Sequence, residues 1–147
     1  MKIAIGNDHG GLDHKNRIVE HLLKAGHEVI NVGTDTLDSC NYPDFGLKVG
    51  ELVGSHQADF GVVICTSGEG IAIAANKVKG VRCGLAYNDE VAALMRQHND
   101  ANVIAFGQKF MPIEDVIRRL DIFLSTDFEG GRHQTRVDII KNYEGAK

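Results

Sequence analysis

Cys65 stands directly before Thr66-Ser67-Gly68-Glu69-Gly70, so a thiol is set beside a short polar loop containing two glycines. The preceding Val62-Val63-Ile64 shows no alternation, as in a strand buried on both faces, and the following Ile71-Ala72-Ile73-Ala74-Ala75 suits the start of a buried helix. A strand, a glycine loop and a helix in that order turn unpaired backbone N–H groups toward an anion. A thiol beside such groups has its thiolate stabilised and can act as nucleophile or general base. The N–H groups of Ser67 to Gly70 could also hold a developing oxyanion. The plainer reading is that free cysteine packs like a small hydrophobe, that a glycine loop is a common turn, and that Glu69 is a solvated acid at a helix start. Position at the strand–loop boundary favours chemistry for Cys65.

Other polar groups could join it. Asp8-His9 follows the first expected strand, although these residues equally suit a cap and a turn. Tyr87-Asn88 follows the fourth. Arg132 and Arg136 are four apart, so on a helix they share one face, where two guanidinium groups suit a phosphate; alone, a solvated face explains them as well. His98-Asn99 precedes the fifth strand and therefore belongs to the opposite edge of the sheet from Cys65. A strand of about six residues is roughly 20 Å long, so His98 is either structural or reaches the thiol loop of a second subunit. His14, His21, His27 and His56 are expected to face solvent, Cys83 to lie in the core and Cys40 in a loop.

The elements that position these groups alternate. Strands are expected over residues 2–6, 28–32, 59–64, 81–87 and 102–106. Helices are expected over about 12–25, from Phe45, from about Gly68 to Gly80, from Asn88 to about Gln97, and from Pro112 to about Ser125. A loop spans Phe128 to Gln134, and a last helix Thr135 to Tyr143. The apolar stripe of the first helix is Ile18, Val19, Leu22 and Leu23. Thr34 to Asp44 is a connection long enough to be functional. This order predicts an α/β fold: a three-layer α/β/α sandwich around a Rossmann-like five-stranded parallel sheet, with a C-terminal helix. Ligands bind such sheets outside the C-terminal ends of the strands, so Asp8 and Cys65 share a crevice if strands one and three are neighbours.

With 147 residues, no repeat and no linker, the chain reads as a single domain over 1–147. A net charge of −4 without a basic stripe argues against nucleic acid as a partner. No apolar run approaches the roughly 20 residues of a membrane span, and no signal peptide is expected. Three cysteines without metal-ligand spacing fit free thiols in a reducing cytoplasm.

Six stretches in order carry a resemblance over nearly the whole chain. They are Gly6-Asn7-Asp8-His9-Gly10, Asn41-Tyr42-Pro43, Ile64 to Gly70, Ala74-Ala75-Asn76-Lys77, Arg96-Gln97-His98-Asn99-Asp100, and Glu129-Gly130-Gly131-Arg132-His133-Gln134-Thr135-Arg136. Together they resemble the ribose-5-phosphate isomerase B family, which also includes galactose-6-phosphate isomerase subunits. The resemblance implies reversible aldose–ketose isomerisation of a sugar phosphate, with no metal and no organic cofactor. It implies Cys65 as the base moving a proton between C1 and C2, and Thr66, Ser67, Gly68, Glu69 and Gly70 as the loop around the enediolate. His98 would help open the furanose ring with Asp8 near the ring oxygens, and Asn99 would bind substrate. His9, Arg132 and Arg136 would take the phosphate. It further implies a homodimer or tetramer with sites shared between chains.

The chain departs from the family pattern in places. Thr66-Ser67 replaces a common Gly-Thr, Glu69 puts an acid where an apolar residue is usual, and Lys109 stands where an arginine often joins the phosphate site. Ile71 occupies the position of the glutamate base used by members that lack the cysteine, which leaves Cys65 as the base. The expected substrate is ribose 5-phosphate. The rival readings are a six-carbon sugar phosphate such as allose 6-phosphate or galactose 6-phosphate, and a non-catalytic domain that binds a phosphorylated ligand.

Overall fold

The computed structural model describes residues 1–145. Five strands, β1 (Lys2–Asn7), β2 (Glu28–Asn31), β3 (Phe60–Cys65), β4 (Cys83–Leu85) and β5 (Val103–Gly107), form one parallel sheet in the order β2-β1-β3-β5-β4. Its helices are α1 (Leu12–Lys24), α2 (Tyr42–Gly54), α3 (Glu69–Asn76), α4 (Asp89–Gln97), α5 (Ile113–Ser125) and α6 (Arg132–Gly145), with a 3₁₀ turn over His9–Gly11.

Side chains alternate between the two faces of each strand. Ile3, Ile5, Val62, Ile64, Ile104 and Phe106 pack with Ile18 and Leu22 of α1, Ala92 and Met95 of α4, and Val116, Leu120 and Phe123 of α5. Ala4, Val63, Cys65, Val103 and Ala105 point the other way, onto Val49 and Val53 of α2 and Ile71 and Ala75 of α3. The three expected layers are thus present, with α1, α4 and α5 on one face and α2 and α3 on the other. The central strands are buried on both faces, which is why their sequences lack alternation. Each fully buried Ile or Phe contributes about 1.5–3 kcal/mol relative to exposure.

Several boundaries differ from expectation. Strand β4 is only Cys83–Leu85, an edge strand paired on one side by β5. Helix α3 stops at Asn76, whose side chain turns to bond Cys83 in both directions, accepting its N–H at 2.8 Å and donating to its carbonyl at 2.9 Å. Helix α2 begins at Tyr42, so the long connection is shorter than expected. Helix α6 begins at Arg132, so residues 132–134 are helical and not loop. Leu23 is exposed, outside the buried stripe of α1. His14 does not face solvent freely: its Nε2 lies 2.7 Å from the Met111 carbonyl oxygen, and its backbone N–H donates to Gln108 Oε1.

Lys15 takes a place in the α1 stripe that binary patterning would give to an apolar residue. It is fully buried, and its ammonium donates to the Thr34 carbonyl at 2.9 Å and pairs with the Asp35 carboxylate. The Lys15 hydrogen bond holds the Asp35 carboxyl below its ordinary range. The start of the connection after β2 is thereby tied to α1.

The register pairs Cys65 with Gly107 at the C-terminal end of β5. A Cβ on Gly107 would overlap the Ser67 carbonyl, so the loop after β3 lies directly on the β5 backbone. Gly107→Ala forces that loop outward. The expected result in urea denaturation is a loss of about 1–3 kcal/mol, with a larger proportional loss of any activity that depends on Ser67 to Gly70.

Candidate active site

Strands β1 and β3 are neighbours, with Asn7 opposite Ile64. From β1 the chain continues outward to β2, and from β3 outward on the other side to β4 and β5, and this switch point opens a crevice at the C-terminal edge. Cys65 ends β3 and is 5% exposed. Its Sγ accepts the Gly68 N–H at 3.2 Å. Gly68 reaches this position with φ +83°, a left-handed conformation that favours glycine, and its Cα lies against Leu85 and the Phe106–Gly107 peptide. Ser67 Oγ accepts the Glu69 N–H at 3.2 Å, which closes the turn into α3. Glu69 is exposed in the first turn of α3, the plainer of its two expected roles, and like Thr66 it lies at the open side of the loop.

The neighbouring turns press on this loop. The Gln108 and Lys109 N–H groups donate to the Cys65 and Thr66 carbonyls at 3.0 and 3.1 Å. Lys109 is therefore placed next to the thiol loop. From the other side, Thr66 Oγ1 packs against Gly10 so closely that no Cβ would fit there. Asp8 is buried, and its Oδ1 accepts the Gly10 N–H at 2.9 Å, capping the 3₁₀ turn. His9 Nδ1 accepts the Cys40 N–H at 3.2 Å, which makes Nε2 the N–H nitrogen of the neutral ring. The tyrosine ring of Tyr42 covers Gly70, leaving no room for a side chain there. Asp8, His9, Cys65, Thr66, Ser67, Gly68, Glu69, Gly70 and Lys109 thus form one cluster.

His98, Asn99, Arg132 and Arg136 form a second cluster elsewhere. His98 caps the C-terminus of α4, and the following turn is held by arginines. Arg82 Nε donates to the Asn99 and Asp100 carbonyls at 3.1 and 3.0 Å. Arg96, 8% exposed, donates to Asp100 Oδ1, the Ala101 carbonyl and the Thr126 carbonyl. The Glu129 N–H donates to the Gln97 carbonyl at 3.1 Å, bringing the start of α6 beside α4. There the His98 and His133 rings stack, with centroids 4.2 Å apart and planes 12° from parallel. Glu129 Oε1 lies 3.5 Å from His133 Nε2 and 3.9 Å from His98 Nε2. A cavity of about 620 Å³ between α4, α6 and β4 is lined by His98, Asn99, His133 and Arg136, with Arg82 and Leu94 among its walls.

The two clusters are not brought together within one chain. From the Gly61–Val103 pair to the Cys65–Gly107 pair is about 13 Å of strand, and His98 lies before Val103 while Cys65 lies at the far end. Sequence reasoning missed three neighbours of the candidate residues: Tyr42, His133 and Glu129. All three fall inside the stretches that carry the family resemblance, with Glu129 just before α6 and His133 in its first turn. The missing signal was where α6 begins. Burial, reinforced by His98 and Arg132 nearby, lowers the pKa of His133 below its ordinary 6.5. Burial likewise pushes the Cys83 thiol up to about 12, although on the edge strand β4 this residue is only partly buried, beside the core and not within it as expected.

Residues 3–140 match the model of a family described as Ribose/Galactose Isomerase. The chain is 43% identical over 143 residues to ribose-5-phosphate isomerase B of Escherichia coli strain K12, covering 97% of this chain and 96% of that protein. Its structure is similar to that of Clostridium thermocellum ribose-5-phosphate isomerase B, with a TM-score of 0.97, 47% identity, and 99% of each chain covered. It is also similar to Mycoplasma genitalium ribose-5-phosphate isomerase B solved with bound ribulose 5-phosphate, with a TM-score of 0.96 and 41% identity, covering 99% of this chain and 97% of that one.

The lowered pKa of His133 has a definite sign in stability. The folded state holds the imidazole neutral below 6.5, where the unfolded chain begins to take up a proton. His133 therefore contributes a loss of stability as pH falls through 6.5 toward the folded pKa. Melting temperatures measured from pH 8 to pH 5 should fall more steeply for the natural chain than for His133→Gln; parallel curves would show that this imidazole is not the group responsible.

Proposed function

The chain belongs to the Ribose/Galactose Isomerase family, and from that premise we propose that it interconverts ribose 5-phosphate and ribulose 5-phosphate with Cys65 as the base. The observation that carries the reading is the Cys65 thiol accepting the Gly68 N–H at the C-terminal edge of the sheet, beside buried Asp8. A thiolate there has a fixed donor and lies next to further backbone N–H groups at the start of α3.

The reaction begins with the closed sugar. His98, assisted by Asp8, moves the protons at the anomeric hydroxyl and the ring oxygen, which yields the open-chain aldehyde. The Cys65 thiolate then removes the C2 proton. Negative charge develops on O1 and is held by the N–H groups and hydroxyl of the Thr66–Gly70 loop, whose donors are already in place and need no reorganisation. The thiol returns its proton to C1 while the O2 proton passes to O1, and the ketose results. His9, Lys109, Arg132 and Arg136 hold the phosphate, and Asn99 binds sugar hydroxyls, which keeps C1 and C2 in register with the sulfur. Lys109 offers a point charge where an arginine would offer a fork.

His98, Asn99, Arg132 and Arg136 reach the thiol loop from a second copy of the chain. In a two-fold dimer the arrangement occurs twice, each site taking one cluster from each chain. The distance between the clusters within one chain supports this reading.

Two experiments test the proposal. In D₂O, the natural protein should introduce deuterium at C2 of ribose 5-phosphate. Cys65→Ala should lower kcat by about 10²–10⁴ with a smaller change in KM. Full activity in that variant would remove the thiol from the mechanism. Mixing Cys65→Ala with His98→Ala chains after unfolding and refolding together should restore about one quarter of natural activity, from one working site in half of the dimers. A mixture as inactive as its parents would reject the shared site.

A further inference from the structure

The stacked pair His98–His133 and the carboxylate between them have the composition of a metal site. Among the described residues, this is the group in which three ligand atoms from His, Cys, Asp or Glu converge, all within 4.8 Å of one another. Two imidazole nitrogens and one carboxylate oxygen suit zinc, cobalt and nickel ions, and three protein ligands leave a position for water. We propose that His98, His133 and Glu129 bind a divalent transition metal of the zinc class, and that occupancy withholds His98 from isomerisation. The second half of the proposal rests on the functional reading above; the first does not.

Two of the three ligand separations already approach those around a bound ion. Metal–nitrogen and metal–oxygen bonds of about 2.0–2.2 Å give a tetrahedron with edges of roughly 3.4 Å. His133 Nε2 already lies 3.5 Å from Glu129 Oε1, and His98 Nε2 is 3.9 Å away. Binding requires the two near-parallel rings to splay so that their in-plane lone pairs converge. The backbone around them is fixed: His98 follows a turn held by Arg82 and Arg96, and Glu129 is tied to Gln97. Glu129 lies in the segment just before α6 and His133 in the helix's first turn.

Arg132 and Arg136 stand close enough to act electrostatically on His133, and they oppose a cation. That charge limits affinity. It makes this a site that fills when metal is in excess, distinct from a resident cofactor site. A metal there occupies the imidazole that the proposed ring opening requires, so inhibition should be reversible and relieved by chelation.

The test uses chelator-treated full-length protein and Co²⁺, with Zn²⁺ for the activity arm. One Co²⁺ per chain should bind with visible ligand-field bands and without a thiolate charge-transfer band. Glu129→Gln should weaken that binding by about 10–100-fold; Glu129 is half-exposed at its side chain, so the variant is expected to fold, and circular dichroism checks it. Zn²⁺ should inhibit the natural protein and be displaced by chelator, and Glu129→Gln, compared with its own metal-free activity, should need correspondingly more Zn²⁺. A thiolate band, or Co²⁺ affinity unchanged in both Glu129→Gln and His133→Gln, overturns the site. Loaded metal with undiminished turnover overturns the inhibitory role. A metal-free protein inert toward ribose 5-phosphate fails the functional reading, while the Co²⁺ spectrum still decides the site.

Discussion

The Cys65 loop keeps its shape because it is wedged between two backbone turns. On one side Gly107 leaves no space above the Ser67 carbonyl, and Gln108 and Lys109 donate to the carbonyls of Cys65 and Thr66. On the other, Thr66 packs on Gly10 in the turn capped by Asp8. These contacts are mostly backbone, and backbone donors held this way do not reorient when charge develops nearby. The sulfur inherits the same rigidity through the Gly68 N–H. A side chain at Gly10 or Gly107 would press directly on the loop.

The sheet supplies the frame for that wedge. Because β1 and β3 pair directly, the turn carrying Asp8 and His9 must stand beside the turn carrying Cys65. The buried Lys15 adds a second tie, holding the start of the connection that brings Cys40 to His9. A buried ammonium is costly unless bonded, and here the Thr34 carbonyl and the Asp35 carboxylate meet it. That connection is ordered by polar contacts reaching out from α1, in place of a hydrophobic plug.

At the opposite edge the chain invests in a different kind of order. Arg96 lies over the Phe60 ring and bonds Asp100 and two carbonyls, and Arg82 bonds the same turn. This network sets where His98 stands and leaves Asn99 exposed. Burial and the neighbouring His98 and Arg132 lower the pKa of the stacked His133. The two polar clusters are thus ordered separately, at opposite edges of one sheet.

Much of this was legible in the residues themselves. Uninterrupted apolar runs such as Val62-Val63-Ile64 announce strands buried on both faces, and their alternation with amphipathic stretches forces a parallel sheet in three layers. Asn88 reads as a helix cap and is one, its side chain accepting the Val91 N–H. The order of the elements alone placed His98 and Cys65 at opposite edges, because a helix must return the chain before each parallel strand. Other features were decided only in three dimensions. The start of α6 at Arg132, the buried place of Lys15 and the Met111 contact of His14 depend on partners far along the chain, and local propensity holds no record of them. The stack of His98 on His133 joins residues 35 positions apart, fixed by how α6 settles against α4. Periodicity determined which elements form and in what order; close packing between distant elements determined which polar side chains meet.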